Sequence, residues 1–392
     1  MAHNEEKSER AETRIAVIGV GNMGSSHAAA LREGKIDRAR LAAVCDTDPA
    51  KLKPFAGIPA FADSRELIRS GIADAVLIAT PHYDHTTIGV DALGRGLHVL
   101  VEKPVSVHKA DVERLIAARR DKSLVFAAMF NQRTNPNFIR IREMLQSGEL
   151  GELRRVNWII TDWFRTQAYY SSSDWRATWR GEGGGVLMNQ AQHNLDLLQW
   201  ICGMPRSVHA FCPIAKYHRI EVEDEVTAVL EFPNGASGVF VTSTGEAPGV
   251  NRLEIFGDKG KVILENGAMK IWKCKDSIRA YSDNSGSWYN CPELSAEQLP
   301  TNGVGGQHHE ILRNFASAIL DGAPLIAPAE EGIRAVELTN AMQLSGLTGQ
   351  TVELPLDSKM YEEKLKSLIA NSDFTKEAGP KRDSYEKPPY LL

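Results

Sequence analysis

Two basic side chains stand out by their surroundings: Lys103 in the run Glu102-Lys103-Pro104, and His193 inside GGGVLMNQAQHNLD at 183–196. A lysine amine with a lowered pKa can take a proton from a hydroxyl, and an imidazole can relay it. If 183–196 is helical, Asn189, His193 and Asp196 share one face at i, i+4 and i+7. Leu187, Ala191, Leu195 and Leu198 then share another, and the three glycines let a ligand approach the helix start. A second group of residues suits phosphate. In IAVIGVGNMGSSH, Gly19, Gly21 and Gly24 form G-x-G-x-x-G around Asn22 and Met23, and Asp46 follows 22 residues beyond Gly24. That spacing fits a dinucleotide: tight turn, close backbone approach, helix N–H groups for the pyrophosphate, and an acid for the ribose hydroxyls. Asp46 would repel a 2′-phosphate, and Thr47 and Asp48 bring no arginine to offset it. NAD is therefore expected rather than NADP.

These residues need elements to hold them. RIAVIGV (14–20), LAAVCD (41–46), ADAVLIAT (73–80), LHVLVEK (97–103) and SLVFAAMF (123–130) read as buried strands. Helical patterns such as SSHAAALREG, SRELIRSG and KADVERLIAARR separate them, which implies βαβ units in a doubly wound parallel sheet. Strand C-termini then share one edge, where Lys103 and the glycine turn would meet a ligand. Beyond about 131 the texture changes to alternating strands: RRVNWIITDWF, EVTAVLEFPNGASGVFVTST, RLEIFGDKGKVILENG and AMKIWKC. Turn signals at Asn234-Gly235, Asp258-Lys259-Gly260 and Asn266-Gly267 divide them. The expected fold class is α/β, an N-terminal Rossmann domain (12–131) plus a C-terminal α+β domain (132–372) with a large, mainly antiparallel open sheet. Helices are expected at 307–321 and 328–346, and an irregular arm at 373–392.

The 392 residues carry a net charge of −5, with 43% hydrophobic and 24% charged residues. Neither nucleic acid nor an anionic membrane surface is an expected partner. The five cysteines form no C-x-x-C pair and fit free thiols in a reducing compartment. No apolar leader or membrane-spanning run is visible, so a cytoplasmic globular protein is expected. Gln307-His308-His309-Glu310 reads as a helix start, and no metal site is expected. His98 reads as structural, and the acidic run Glu221, Glu223, Asp224, Glu225 as a solvated loop. For His85, ligand contact and local packing stay equally open.

The glycine fingerprint, Thr80-Pro81 with His85, Glu102-Lys103-Pro104, the GGGVLMNQAQHNLDLLQW segment and EGIRAVELTNAMQLSGLTGQ together resemble the Gfo/Idh/MocA oxidoreductases. These are the glucose–fructose oxidoreductase and inositol dehydrogenase relatives, and the resemblance spans about residues 12–356. It implies hydride transfer between a sugar-like alcohol and NAD, with Lys103 as acid/base and His193 sharing the proton. By the same resemblance Thr80, Pro81, His85, Glu102, Lys103 and Arg165 join the cofactor site. Close pairing with Glu102 would raise the Lys103 pKa, so Glu102 is read as positional. Inositol dehydrogenase-like members carry an aspartate four residues before the histidine; here that position is Asn189, and Asp196 is the nearest helper. The stretch TDWFRTQAYYSSSDWRATWRGEGGGVLMNQ resembles a subgroup acting on glucosides and related pyranoses, which includes levoglucosan dehydrogenase-like members and enzymes that oxidise the 3-hydroxyl of C- and O-glycosides. Trp163, Tyr170, Trp175 and Arg176, with Asn189, are the expected substrate contacts, since aromatic faces and arginine suit a pyranose. The same aromatic cluster also suits an interdomain or subunit contact. An NAD-recycling glycoside-cleaving enzyme, an inositol dehydrogenase and a silent NAD-binding sensor are the rival readings, and a homo-oligomer is expected.

Overall fold

The computed structural model describes residues 12–300 and 303–376; the expected arm beyond 376 lies outside them. The first sheet has six parallel strands: β1 Thr13–Ile18, β2 Ala39–Cys45, β3 Ala60–Phe61, β4 Ala75–Ile78, β5 His98–Val101 and β6 Phe126–Ala128. Their order is β3-β2-β1-β4-β5-β6. β4 is buried along its whole length and β1 nearly so, as a parallel sheet covered on both faces requires. The chain reverses its winding between β1 and β4, and the crevice at that switch point opens beyond the strand C-termini. The expected strands therefore form; only the two-residue β3 was not anticipated. β5 stops at Val101, so Glu102 and Lys103 lie in the turn that follows.

The second sheet contains β7 Leu153–Ile160, β8 Ser207–Phe211, β9 Glu225–Glu231, β10 Ser237–Ser243, β11 Asn251–Gly257, β12 Gly260–Glu265, β13 Ala268–Cys274, β14 Leu294–Pro300 and β15 Val352–Glu353. Its order is β14-β13-β12-β11-β7-β10-β9-β8-β15. The β7–β10 pair is parallel and the other pairs are antiparallel. The turns fall where the glycines are. Asn266 and Gly267 take φ of +49° and +71° between β12 and β13, a pair of left-handed residues that matches strand twist. Along β7, Val156, Trp158 and Ile160 are buried while Ile159 is exposed. One face of the sheet thus packs against helices and the other faces outward.

The helix Gln192–Cys202 and the helix Gly332–Thr348 lie on the buried face, joined by Gln192 Nε2 donating to Thr339 Oγ1 at 2.7 Å. The C-terminal region also reaches the first sheet. Lys109 Nζ donates to Glu337 Oε1 at 2.7 Å and to the Leu356 carbonyl at 2.6 Å, and the Ala128 N–H of β6 donates to the Ala327 carbonyl at 3.0 Å. All five cysteines are free thiols; Cys45, Cys212 and Cys274 are buried, whereas Cys291 is exposed. Among the described residues, no helix is long and apolar enough to cross a membrane.

The acidic run is the clearest departure from the sequence reading. Glu223 and Asp224 are fully buried rather than solvated. Asp224 accepts from the backbone N–H groups of Lys216, Tyr217 and His218 and contacts His218 Nδ1 at 2.9 Å. Glu223 Oε1 accepts from Gly185 N at 3.0 Å, Leu187 N at 3.3 Å and Gln343 Nε2 at 3.2 Å. Backbone donors that cannot reach water draw these carboxylates inward.

Candidate active site

The glycine turn after β1 is shaped by contacts that only glycine allows. Gly19 has φ +86°, and a Cβ there would lie 2.7 Å from the Ala79 carbonyl oxygen; at Gly24 it would lie 1.8 Å from the Gly19 oxygen. A Cβ at Gly21 would meet no protein atom, so the space beside it is open. The helix Asn22–Arg32 starts there, with Asn22 and Met23 exposed and its first N–H groups facing that space. Asp46 closes the far side at the end of β2. Its carboxylate accepts from Val20 N and Asp48 N, both at 2.9 Å, with Lys51 Nζ at 3.4 Å, and it retains lone pairs for further hydroxyls. Thr80, after β4, has a buried hydroxyl with no partner among the described residues. Open space at Gly21, helix N–H groups, a ribose-type acid and an orphaned hydroxyl together fit NAD. Pro81 beside it is exposed and precedes the helix His82–Gly94. His85 is a correction: it is fully buried, its ring nitrogens facing the Pro104 carbonyl at 2.8 Å and the Thr80 carbonyl at 3.0 Å. It braces the two loops and presents nothing to a ligand.

Lys103 follows β5, next to the turn after β4. Its side chain is partly exposed, and Nζ donates to the Asn189 backbone oxygen at 3.0 Å. Burial lowers the pKa of this amine; Glu102 and Glu182 pull it up, and Arg176 and Arg165 push it down. Glu102 turns away from the amine. Its Oε1 sits 2.7 Å from His27 Nε2 and its Oε2 accepts from the Lys103 backbone N–H at 3.1 Å. Burial alone would raise this carboxyl, yet the His27 contact holds it at about 2. Glu102 thus braces the turn through His27 and the Lys103 backbone N–H rather than pairing with the amine.

The segment 183–191 is not helical, which revises the expected face. It is a series of tight turns, and the helix begins at Gln192. Asn189 lies in the turns and His193 in the first helical turn. His193 is partly exposed, stands edge-on to Phe130 at 6.3 Å, and has a buried Nδ1 with no partner among the described residues. Burial, with Lys103 and His308 adding positive charge, lowers its pKa to about 3, so the ring is neutral at pH 7. Asp196 is a further correction. It pairs with the buried Arg133 at 2.7 Å (Oδ2 to Nε) and 2.6 Å (Oδ1 to Nη2), and is not available to His193.

The aromatic stretch forms a wall around Arg165 and Arg176, two cations whose charge lowers the Lys103 pKa. The Arg176 guanidinium lies 4.3 Å from the Tyr169 ring and 4.7 Å from the Trp175 ring, and Nη1 donates to the Tyr169 hydroxyl at 2.6 Å. Trp175 meets His82 edge-on at 5.6 Å, and Arg165 lies over Trp163 and Tyr169. These side chains are partly exposed. Tyr170 is not: it is 2% exposed and its hydroxyl contacts Thr244 Oγ1 at 2.7 Å, so it supports the wall from behind. His98 is structural as expected, its Nδ1 accepting from Val125 N at 2.8 Å.

Two groups were missed in the sequence. His308, at the start of the helix Gln307–Asp321, lies 5.4 Å from His27 ring to ring. Glu182 is buried at 1% exposure between Arg176 and Asn189. The sequence signals were a histidine in a run read only as a helix start, and a charged residue inside a glycine run.

Residues 13–130 match the family of oxidoreductases with an NAD-binding Rossmann fold, and residues 138–263 match the GFO/IDH/MocA C-terminal domain. Myo-inositol 2-dehydrogenase from Thermotoga maritima is 29% identical over 262 residues, covering 64% of this chain and 75% of that protein. The WlbA dehydrogenase from Bordetella pertussis, solved with NADH and UDP-GlcNAcA, is 26% identical with a TM-score of 0.74, over 88% of this chain and 100% of that one. Levoglucosan dehydrogenase, solved with NADH and levoglucosan, shares the fold at a TM-score of 0.73 and 20% identity, over 88% and 100% of the two chains. Both halves match one family, and the open glycine turn, Asp46 and Thr80 fit a dinucleotide: the chain belongs to the GFO/IDH/MocA family and is an NAD-binding oxidoreductase.

Proposed function

We propose that this enzyme oxidises a secondary hydroxyl of a pyranose, most favourably the C3 hydroxyl of a glucoside or a C- or O-glycoside. The observation that carries the reading is Lys103, a partly desolvated amine just beyond the C-terminal end of β5, whose charge also lowers the pKa of His193, a ring with a buried and unpartnered Nδ1 among the described residues. NAD, when bound, supplies the hydride acceptor. Lys103 takes the hydroxyl proton as the C–H hydride departs, leaving a ketone, NADH and a protonated amine. His193, neutral at pH 7, accepts from or donates to the same hydroxyl and so fixes its orientation. Arg165, stacked on Trp163 and Tyr169, is the arginine assigned to contact cofactor or substrate.

Trp175, Trp163 and the stacked Arg176 support a pyranose, whose C–H faces suit rings and whose hydroxyls suit guanidinium donors. The likeness to an inositol dehydrogenase supports cyclitols as the second substrate class. A panel of alkyl and aryl glucosides, free hexoses and cyclitols, read by NADH absorbance, tests the assignment. Stoichiometric NADH with glucosides is expected. Saturable NAD binding without reduction across the panel overturns the reading, and aglycone release without net NADH favours the NAD-recycling alternative. The outward apolar residues Ile159, Phe211 and Val229 on the second sheet support a homo-oligomer, readable by mass in solution, and the free thiols support a reducing, cytoplasmic setting.

A further inference from the structure

Glu182 has no part in the dinucleotide site, yet the fold goes to some length to hold it. It sits between two glycines that admit no other residue. A Cβ at Gly181 would lie 2.3 Å from the Trp175 carbonyl oxygen, and one at Gly183, where φ is +80°, would lie 2.1 Å from Val107 Cγ1. Its Oε2 accepts from the Ala177 N–H at 2.6 Å, and its Oε1 accepts from Asn189 Nδ2 and lies 3.7 Å from Arg176 Nη1. A carboxylate at 1% exposure is costly unless its neighbours compensate. Here one amide, one backbone N–H, and the cations Arg176 and Lys103 favour the charged form, while burial, the largest influence, still raises the carboxyl above its ordinary pKa.

We propose that Glu182 is a positioning residue for the oxidation: it turns the Asn189 amide so that Oδ1 faces the substrate, and it supplies the negative charge beside Lys103. An amide facing a carboxylate must present its NH2 group to it, which leaves its carbonyl oxygen as an acceptor for a hydroxyl. The same residue, Asn189, carries the backbone oxygen that receives Lys103 Nζ at 3.0 Å. Glu182, Asn189 and Lys103 therefore form one contact chain, and the acid missing from position 189 stands one hydrogen bond behind it. The titratable or charged groups around Lys103 are Glu102, Glu182, Arg176, Arg165, His193, His82 and His308. Of these, the two glutamates alone are acids, and Glu102 is engaged with His27.

This inference rests on Lys103 being the proton acceptor, but its test needs no substrate. The Lys103 titration midpoint is read from the pH dependence of its acetylation by acetic anhydride, followed by mass spectrometry of the Lys103 peptide in the NAD-loaded enzyme. Glu182→Gln keeps the shape and removes the charge, so the midpoint falls by about one pH unit. With a substrate found, KM rises by about tenfold as Asn189 loses its orientation. The exchanged pair Glu182→Gln with Asn189→Asp restores the charge within the same hydrogen-bonded couple and brings the midpoint back. An unmoved midpoint in Glu182→Gln overturns the proposal. If that variant does not fold, the exchanged pair decides alone, since a folded protein with a displaced midpoint also overturns it. A chain that reduces no NAD with any alcohol removes the dehydrogenase reading and leaves the labelling result to be judged separately.

Discussion

Lys103 Nζ and the backbone oxygen of Asn189, 86 positions apart in sequence, meet at 3.0 Å. This contact joins the turn after β5 to the glycine-rich segment of the second region, so the strand-end edge of the first sheet and the segment before the helix Gln192–Cys202 share one amine.

Replacing that amine should separate binding from chemistry. Lys103→Ala is expected to lower kcat by about 10²–10⁴-fold while NAD affinity, read by fluorescence titration, changes little. Lys103→Arg should be as inactive, because a guanidinium does not give up its proton near neutral pH. In the wild type the protonated amine is the inactive form. Burial lowers its pKa, so kcat/KM should rise with pH and level off below 10.5, the ordinary value for lysine. A limb at or above that value contradicts Lys103 as the base.

The position of Asp46 at the end of β2 predicts that it sets the choice between dinucleotides. Asp46→Ala removes the acceptor for the ribose hydroxyls and frees Lys51, now 3.4 Å away, to meet a 2′-phosphate. The NAD-over-NADP preference should fall by about tenfold or more in paired titrations. An unchanged ratio would place the discrimination elsewhere.

The Arg133–Asp196 pair belongs to folding rather than to proton transfer. Both side chains are at most 1% exposed, so Asp196→Ala leaves a buried guanidinium with Glu331 as its remaining acidic partner. A loss of about 3–5 kcal/mol in urea unfolding is expected. A loss under about 1 kcal/mol would show that the pair is not holding the helix Gln192–Cys202 in place.

Glu223 should leave a signature in the pH dependence of stability. Burial raises its carboxyl to about 7 in the native state, against 4.5 in the unfolded chain. Between these values the native state binds more protons than the unfolded one, so this group makes stability fall as pH rises from 4.5 to 7 and level off above. Glu223→Gln removes the term. The wild type should lose up to about 3 kcal/mol more than the variant between pH 5 and 8 in paired denaturant titrations. Parallel curves would mean that Glu223 titrates at its ordinary value.

What could be read from the sequence, and what could not, follows from the range of the interactions. Gly19, Gly21 and Gly24 are legible because each answers a local backbone demand, and the β4 strand because its side chains are buried without interruption. The Asn266-Gly267 turn is legible for the same local reason. The helix start was misplaced because Leu187 and Ala191 are as buried as Leu195 and Leu198, so apolar spacing runs on through turns that the backbone does not continue as helix. Asp196, Glu223 and Glu182 were misjudged or missed because their partners lie elsewhere. Arg133 is 63 positions from Asp196 and Gly185 is 38 from Glu223, while Glu182 is seven from Asn189 yet joined to it only by a chain reversal.

The hydrogen bond from the Ala128 N–H to the Ala327 carbonyl has a consequence for how the chain is made. β6 is the edge of the nucleotide-binding sheet, and part of its outer rim is satisfied by a residue synthesised long after the rest of that sheet. A ribosome-bound chain ending near residue 131 would therefore carry an incomplete rim, open to pairing with other nascent chains. The cofactor half thus gains part of its rim only once the other half has been translated, and a product truncated near residue 131 should aggregate more readily than the full chain.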